Sequence, residues 1–176
     1  MLETLISSKT RMKILLKFFL NPDCTSYLRG LAEEFGESTN SVRLELNRFE
    51  DAGMLTSESA GNKKIYKANS KHPFFQNIQS LVFKHYGIDK IVESIIDKLG
   101  RVSKIYLTGD YAVGKDSGIL DFIIVGEIDK IYLINITTKA EKLIKRKVRF
   151  LIYTVESWSE SEISLGKCLL LWDNPN

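Results

Sequence analysis

Between Thr25 and Gly53 the apolar residues repeat at helical spacing and are interrupted once, by a turn only a few residues long. Leu28, Leu31, Ala32 and Phe35 fall at the offsets that line one side of a helix. Gly36 can end that helix, because a residue without a Cβ enters the left-handed backbone region at little cost. Val42, Leu46 and Phe49 form a second stripe, which Ser38 can cap and Gly53 closes. Thr25 and Ser26 offer side-chain oxygens for the start of the first helix. Glu37-Ser38 completes a very short turn, so the spacing predicts two helices joined tightly through a glycine, the helix-turn-helix pattern.

The outer side of the second helix is polar. Asn40, Arg43 and Asn47 stand at i, i+3 and i+7, opposite the apolar stripe, and Thr39 and Ser41 lie in the first turn. Arginine can grip guanine O6 and N7, and asparagine can grip adenine N6 and N7, in the major groove of a duplex. The helix start at Ser38 also presents backbone N–H groups that favour a phosphate. A solvated polar face is the plain alternative. Downstream, Met54–Glu58 and Lys64–Ala68 read as short strands around Ser59-Ala60-Gly61-Asn62. Lys63 and Lys64 then lie near a hairpin tip and Lys67 on its return strand, where lysines can hold a phosphate backbone without reading sequence. Solvated lysines are again the plain alternative. Upstream, Ser8 can cap a helix whose stripe is Met12, Leu15, Leu16 and Phe19, stopped by Asn21-Pro22-Asp23.

Three amphipathic helices followed by a basic hairpin resemble the winged helix-turn-helix family of bacterial regulators, over Met1 to about Asn69. The resemblance implies that the helix after Ser38 enters the major groove and that the hairpin contacts the DNA backbone. Bulk charge adds little. The 176 residues carry a net +3, and residues 1–71 hold 11 Lys/Arg against 9 Asp/Glu, so any DNA affinity depends on where the positive charges sit. An apolar share of 44% is ordinary for a globular core. No apolar run approaches the roughly 18 residues of a membrane span, and no secretory signal is visible. Cys24 and Cys168 lie far apart without metal-ligand spacing, as expected of a reduced, cytoplasmic chain.

A break at Lys71-His72-Pro73 separates the second half. Phe74, Ile78, Leu81, Val82 and Tyr86 form one helical stripe; after Gly87, Ile88, Ile91, Ile95 and Leu99 form another, ending at Gly100. Such helices can pack within the chain or pair two copies of it. From Val102 strands and helices alternate: strands over Val102–Leu107, Ile119–Val125 and Val148–Tyr153, a helix over Asp129–Ile144, and a last apolar run over Cys168–Trp172. The nearly all-apolar second strand predicts burial on both faces.

A strand, then Gly109-Asp110-Tyr111-Ala112-Val113-Gly114, then a strand carrying Asp121 resembles the minimal nucleotidyltransferase domain over about Val102 to Tyr153. That family has a Gly-Ser turn for nucleotide phosphates and paired acids that hold divalent metal. Here Asp110 replaces the serine, Val113 the arginine, and Ile119 the first of the paired acids, and Val148–Tyr153 lacks the further acid of the third strand. The departures imply a domain that has lost catalysis. Gly109–Asp116 also spells a near-match to a phosphate-binding P-loop, but Asp116 stands where a hydroxyl is needed and a strand follows instead of a helix. Lys145-Arg146-Lys147 with Arg149 is a basic cluster, read as a helix C-terminus or a phosphate contact.

The expected fold class is α+β: a winged helix of three helices plus a β-hairpin over 1–70, a helical linker over 71–100, and a small α/β nucleotidyltransferase-like domain over 101–176. The expected DNA-binding residues are Ser38, Thr39, Asn40, Ser41, Arg43, Asn47, Lys63, Lys64 and Lys67. The degenerate motif comprises Gly109, Asp110, Gly114 and Asp121, with no catalytic residue, cofactor or metal. The expected function is sequence-specific transcriptional regulation. The expected partners are double-stranded DNA, a second copy of the chain in a homodimer, and a small-molecule or nucleotide effector, with no membrane. The alternative is an active metal-dependent nucleotidyltransferase whose N-terminal module docks substrate or partner.

Overall fold

Ser8 opens helix α1, Lys9–Leu15, by accepting a hydrogen bond from the Arg11 N–H at 3.2 Å. The helix then widens into a π-helical stretch, Leu16–Leu20, all of it buried. Lys17 lies inside that stretch and donates to both carboxylate oxygens of Glu34 at 3.0 Å. Asn21 turns to extended backbone and stops the element.

This computed structural model describes residues 6–98, 100–159 and 167–174. The chain divides into two compact units, Met1–His85 and Tyr86–Asn176. In the first, strand β1 (Thr25–Tyr27) leads into helix α2 (Leu28–Phe35), helix α3 (Thr39–Asp51) and the hairpin of β2 (Leu55–Ala60) and β3 (Lys63–Ala68). The three strands form one antiparallel sheet in the order β1-β3-β2. Thr25 and Ser26 therefore do not cap α2. They pair with Lys67 and Tyr66, Tyr27 takes the cap position without a side-chain bond, and the backbone groups are satisfied by the sheet instead. Gly36 does end α2, at φ 64° and ψ 35°, with its N–H and that of Glu37 returned to the last carbonyls.

The core of this unit is continuous from α1 to α3 and β2: Ile14, Phe18, Phe19, Leu20, Leu31, Val42, Leu46 and Leu55 are all at most 2% exposed except where Phe49 closes the edge at 7%. Helix α4, Phe75–Tyr86, adds Phe75, whose ring stacks on Phe19 at 5.6 Å between centroids. The expected stripe is shifted here. Phe74 and Leu81 are exposed, because the helix begins after the Pro73 turn and Phe75 and Val82 take the inner side.

The second unit holds α5 (Ile88–Lys98), β4 (Gly100–Thr108), the short α6 (Gly109–Ala112), β5 (Ile119–Ile128), α7 (Lys130–Ile144), β6 (Lys147–Tyr153) and β7 (Cys168–Asp173). Ile88, Ile91 and Ile95 of α5 are buried as their spacing requires; Leu99 lies outside the described residues. The sheet order is β6-β5-β4-β7, with β5 and β6 parallel and the other pairs antiparallel. Asp129 caps α7 by accepting from the N–H groups of Ile131 and Tyr132, both at 3.0 Å. Burial of β5 on both faces holds only at Ile124 and Val125. Before them Leu120 and Phe122 are buried, whereas Ile119, Asp121 and Ile123 on the other face are half-covered, the alternation of a sheet with one dressed face. The whole is mixed α and β, and no described helix is long and apolar enough to cross a membrane.

Candidate functional site

Helix α3 carries two opposed sides. Val42, Glu45, Leu46 and Phe49 are buried against the unit. Thr39, Asn40, Arg43 and Asn47 are exposed on the other side, with Leu44 beside them at 52% exposure. Ser38 accepts from the Ser41 N–H at 3.1 Å, so its hydroxyl is spent on the cap. The Ser41 hydroxyl is spent too. It shares a 3.0 Å hydrogen bond with the Thr10 hydroxyl of α1, and so ties two helices together while Asn40, Arg43 and Asn47 face outward.

A second tie lies one turn along. The Glu45 carboxylate is buried and accepts from Arg11 Nε at 2.8 Å and Arg48 Nη1 at 3.0 Å. Burial works to raise its pKa, but the Arg11 hydrogen bond and the flanking positive charges win and hold it below its ordinary value. No local pattern announces this network, because Arg11 and Glu45 lie 34 residues apart and meet only when α1 crosses α3.

The three hairpin lysines divide. Successive strand residues point to opposite faces. Lys64 lies on the side of Tyr66 and Ala68, both buried, and donates to Glu50 of α3 at 2.7 Å. Lys63 and Lys67 share the other side; Lys63 is exposed with its ammonium 4.1 Å above the Tyr27 ring, and Lys67 is exposed.

In the second unit the glycine turn and the acid do meet. Gly109 sits at φ 68°, and a Cβ there would come within 2.6 Å of the Asp121 carboxylate, so close approach and backbone angle both require glycine. Asp110 is exposed in the first turn of α6, and Gly114 follows the helix. Asp121 is held from across the sheet. Arg149, its register partner on β6, donates to both carboxylate oxygens at 2.6 and 2.9 Å. The hydrogen bond to Asp121 raises the pKa of the Arg149 guanidinium further. Arg149 thus covers Asp121 from the neighbouring strand. A divalent cation would have to displace it, since like charges this close repel by several kcal/mol even at an effective dielectric of about 20.

Asp116 does not join Asp121. It accepts from the Tyr111 hydroxyl, from Arg146 Nη2 at 3.1 Å and from the Gly118 N–H at 3.2 Å. Tyr111 is wholly buried, and burial followed by its bond to Asp116 pushes the phenol well above its ordinary range. Arg146 also donates to the Tyr111 oxygen at 2.7 Å and lies 4.7 Å over the Tyr86 ring. Among the described residues no three acidic, histidine or cysteine side chains converge as a metal site. The P-loop reading fails on geometry, because after Gly114 the chain passes through Ser117-Gly118 directly into β5. The basic cluster is paired with acids of the same unit: Arg146, largely covered, to Asp116, and the exposed Lys147 and Arg149 to Glu141 at 3.2 Å and to Asp121.

No known protein family matches the sequence, and no curated protein does. Partial likenesses come from solved structures, among them three. One is a complex of a Shewanella oneidensis HEPN toxin with its MNT antitoxin: 18% identity, 49% of this chain and 69% of that one, TM-score 0.35. A second is ZitR of Lactococcus lactis, at 19% identity over 55% of this chain and 67% of that one, TM-score 0.36. The third is Sso10a-2, a DNA-binding protein from Sulfolobus solfataricus, at 15% identity over 51% of this chain and 96% of that one, TM-score 0.34.

Proposed function

We propose that the chain is a DNA-binding transcriptional regulator whose first unit is a winged helix-turn-helix and whose second unit is a nucleotidyltransferase-like domain that has lost catalysis. The observation that carries this reading is α3. Its apolar side is locked to α1 by the Ser41–Thr10 and Glu45–Arg11 bonds while Asn40, Arg43 and Asn47 stand exposed together. A rigid helix with an outward Asn-Arg-Asn face has the shape and chemistry to read a major groove. Lys63 and Lys67, on the outer side of β3, are placed to hold phosphate. In the second unit Arg149 on Asp121 and Ile119 in place of an acid favour a role in sensing a small molecule or nucleotide, or in binding a partner. A cytoplasmic homodimer reading two half-sites completes the proposal.

Selection of duplexes from a randomised pool tests it. Enrichment of a common sequence, bound more weakly as salt rises, is the expected result; no enrichment and no binding even at low salt overturns it.

The rival reading, an active nucleotidyltransferase, draws on one observation, the Gly109 turn packed against Asp121. Incubation with labelled nucleotides and magnesium or manganese decides between them. Metal-dependent transfer that disappears in Asp121→Asn establishes the rival.

A further inference from the structure

Helix α3 and the hairpin are joined by one carboxylate. Glu50 stands in the last turn of α3. Its Oε1 accepts from the Ser57 hydroxyl on β2, and its Oε2 accepts from Lys64 Nζ on β3 at 2.7 Å. Both strands of the hairpin are therefore fixed to the end of the same helix. The hydrogen bond from Lys64, then that from Ser57, keeps the Glu50 carboxyl below its ordinary range, so it is ionised wherever DNA would be bound near neutral pH. Neither Glu50 nor Ser57 belongs to the outward face of α3 or to the exposed lysine pair Lys63 and Lys67.

We propose that Glu50 is a positioning residue that sets the ratio of specific to non-specific DNA binding, by fixing the hairpin to α3 and withholding Lys64 from the phosphate backbone. The inference rests on the DNA-binding reading above. Two physical effects act in the same direction. Non-specific affinity follows the number of phosphates a protein neutralises, and a lysine already paired with a carboxylate releases no counterion from DNA. Specific affinity needs α3 in the groove and the hairpin on the backbone at the same time, so a fixed angle between them favours the cognate duplex alone. The bond itself is half-exposed and contributes little to folding, as exposed ion pairs generally do. Its value lies in which partner Lys64 chooses.

The test uses the full chain, a duplex that the chain has selected from a randomised pool, and a scrambled duplex of equal length and composition. Affinity is measured for both from about 50 to 200 mM salt. In Glu50→Gln, the scrambled duplex should bind several-fold more tightly, with a log–log salt slope steeper by about 0.9, the increment of one added phosphate contact. The selected duplex should gain less or lose affinity, so the ratio between the two falls. Adding Lys64→Gln to Glu50→Gln should return the slope to its original value. Ser57→Ala, which loosens β2 but leaves Lys64 on Glu50, should weaken the selected duplex with no change of slope. An unchanged slope in Glu50→Gln, with both duplexes weakened alike and a lower melting temperature, makes Glu50 merely structural and overturns the inference while the DNA reading stands. Failure of the selection step removes both.

Discussion

Two regions of this molecule treat charge in opposite ways. On α3 the charges and dipoles that tie the fold together, at Ser41, Glu45 and Glu50, are turned toward neighbouring elements, and Asn40, Arg43 and Asn47 are left facing outward. Around β5 the charges are paired with one another. Arg149 closes Asp121, and Arg146 closes Asp116 and the buried Tyr111 hydroxyl. An outward group is available to a ligand at little cost. A group already paired must first break its bond, and the exchange gains only the difference. The first region leaves its polar groups outward, and the second spends the same side-chain types on holding its sheet and turn in place.

The largest expected effect tests the second half of that contrast. Arg146→Ala leaves a buried phenol without its donor and removes the cation from the Tyr86 ring, and should cost about 3 kcal/mol of stability, read as a fall in denaturation midpoint. A loss under about 0.5 kcal/mol would show that the inward network is decorative. Next comes Arg43→Ala. It should leave the melting temperature nearly unchanged but remove about 1–3 kcal/mol of discrimination between a selected and a scrambled duplex in a binding titration. A large fall in stability instead would place Arg43 with the structural charges and break the contrast.

Acid sharpens it further. The folded Glu45 carboxyl lies below its ordinary 4.5, so its contribution to stability is complete well above that pH and drains away as pH falls through the folded value. A chemical-denaturation series should therefore show stability declining below about 4.5, and a flatter acid limb in Glu45→Gln, which begins less stable at neutral pH. The smallest effect belongs to Asp121→Asn. Its partner Arg149 is mostly exposed, so stability should move by no more than about 1 kcal/mol, and nucleotide transfer with manganese should be equally absent before and after the change.

The elements of the first unit were legible because their signals are local. Ser8, Gly36 and Ser38 act on neighbours a few residues away, and the stripe Val42-Leu46-Phe49 needs only a helical period to be seen. Thr25 and Ser26 misled because a hydroxyl before an apolar stripe serves a cap or a strand equally well, and pairing with β3, some forty residues away, chose the strand. Sequence proximity groups Lys64 with Lys63 and Lys67. The two-residue period of β3 puts it on the Tyr66 side, a signal present in the sequence but decisive only once Glu50 is known to lie there.

By itself, then, the sequence determined where helices start and stop, which sides are apolar, and that Asn40, Arg43 and Asn47 share a face, since these follow from backbone periods and capping chemistry within a few residues. Tertiary structure alone decided which charges are free. Arg11 with Glu45, Lys64 with Glu50, Arg149 with Asp121 and Arg146 with Tyr111 are separated by 34, 14, 28 and 35 positions. An ion pair or hydrogen bond depends on distance in space, and only helix crossing and strand register set that distance.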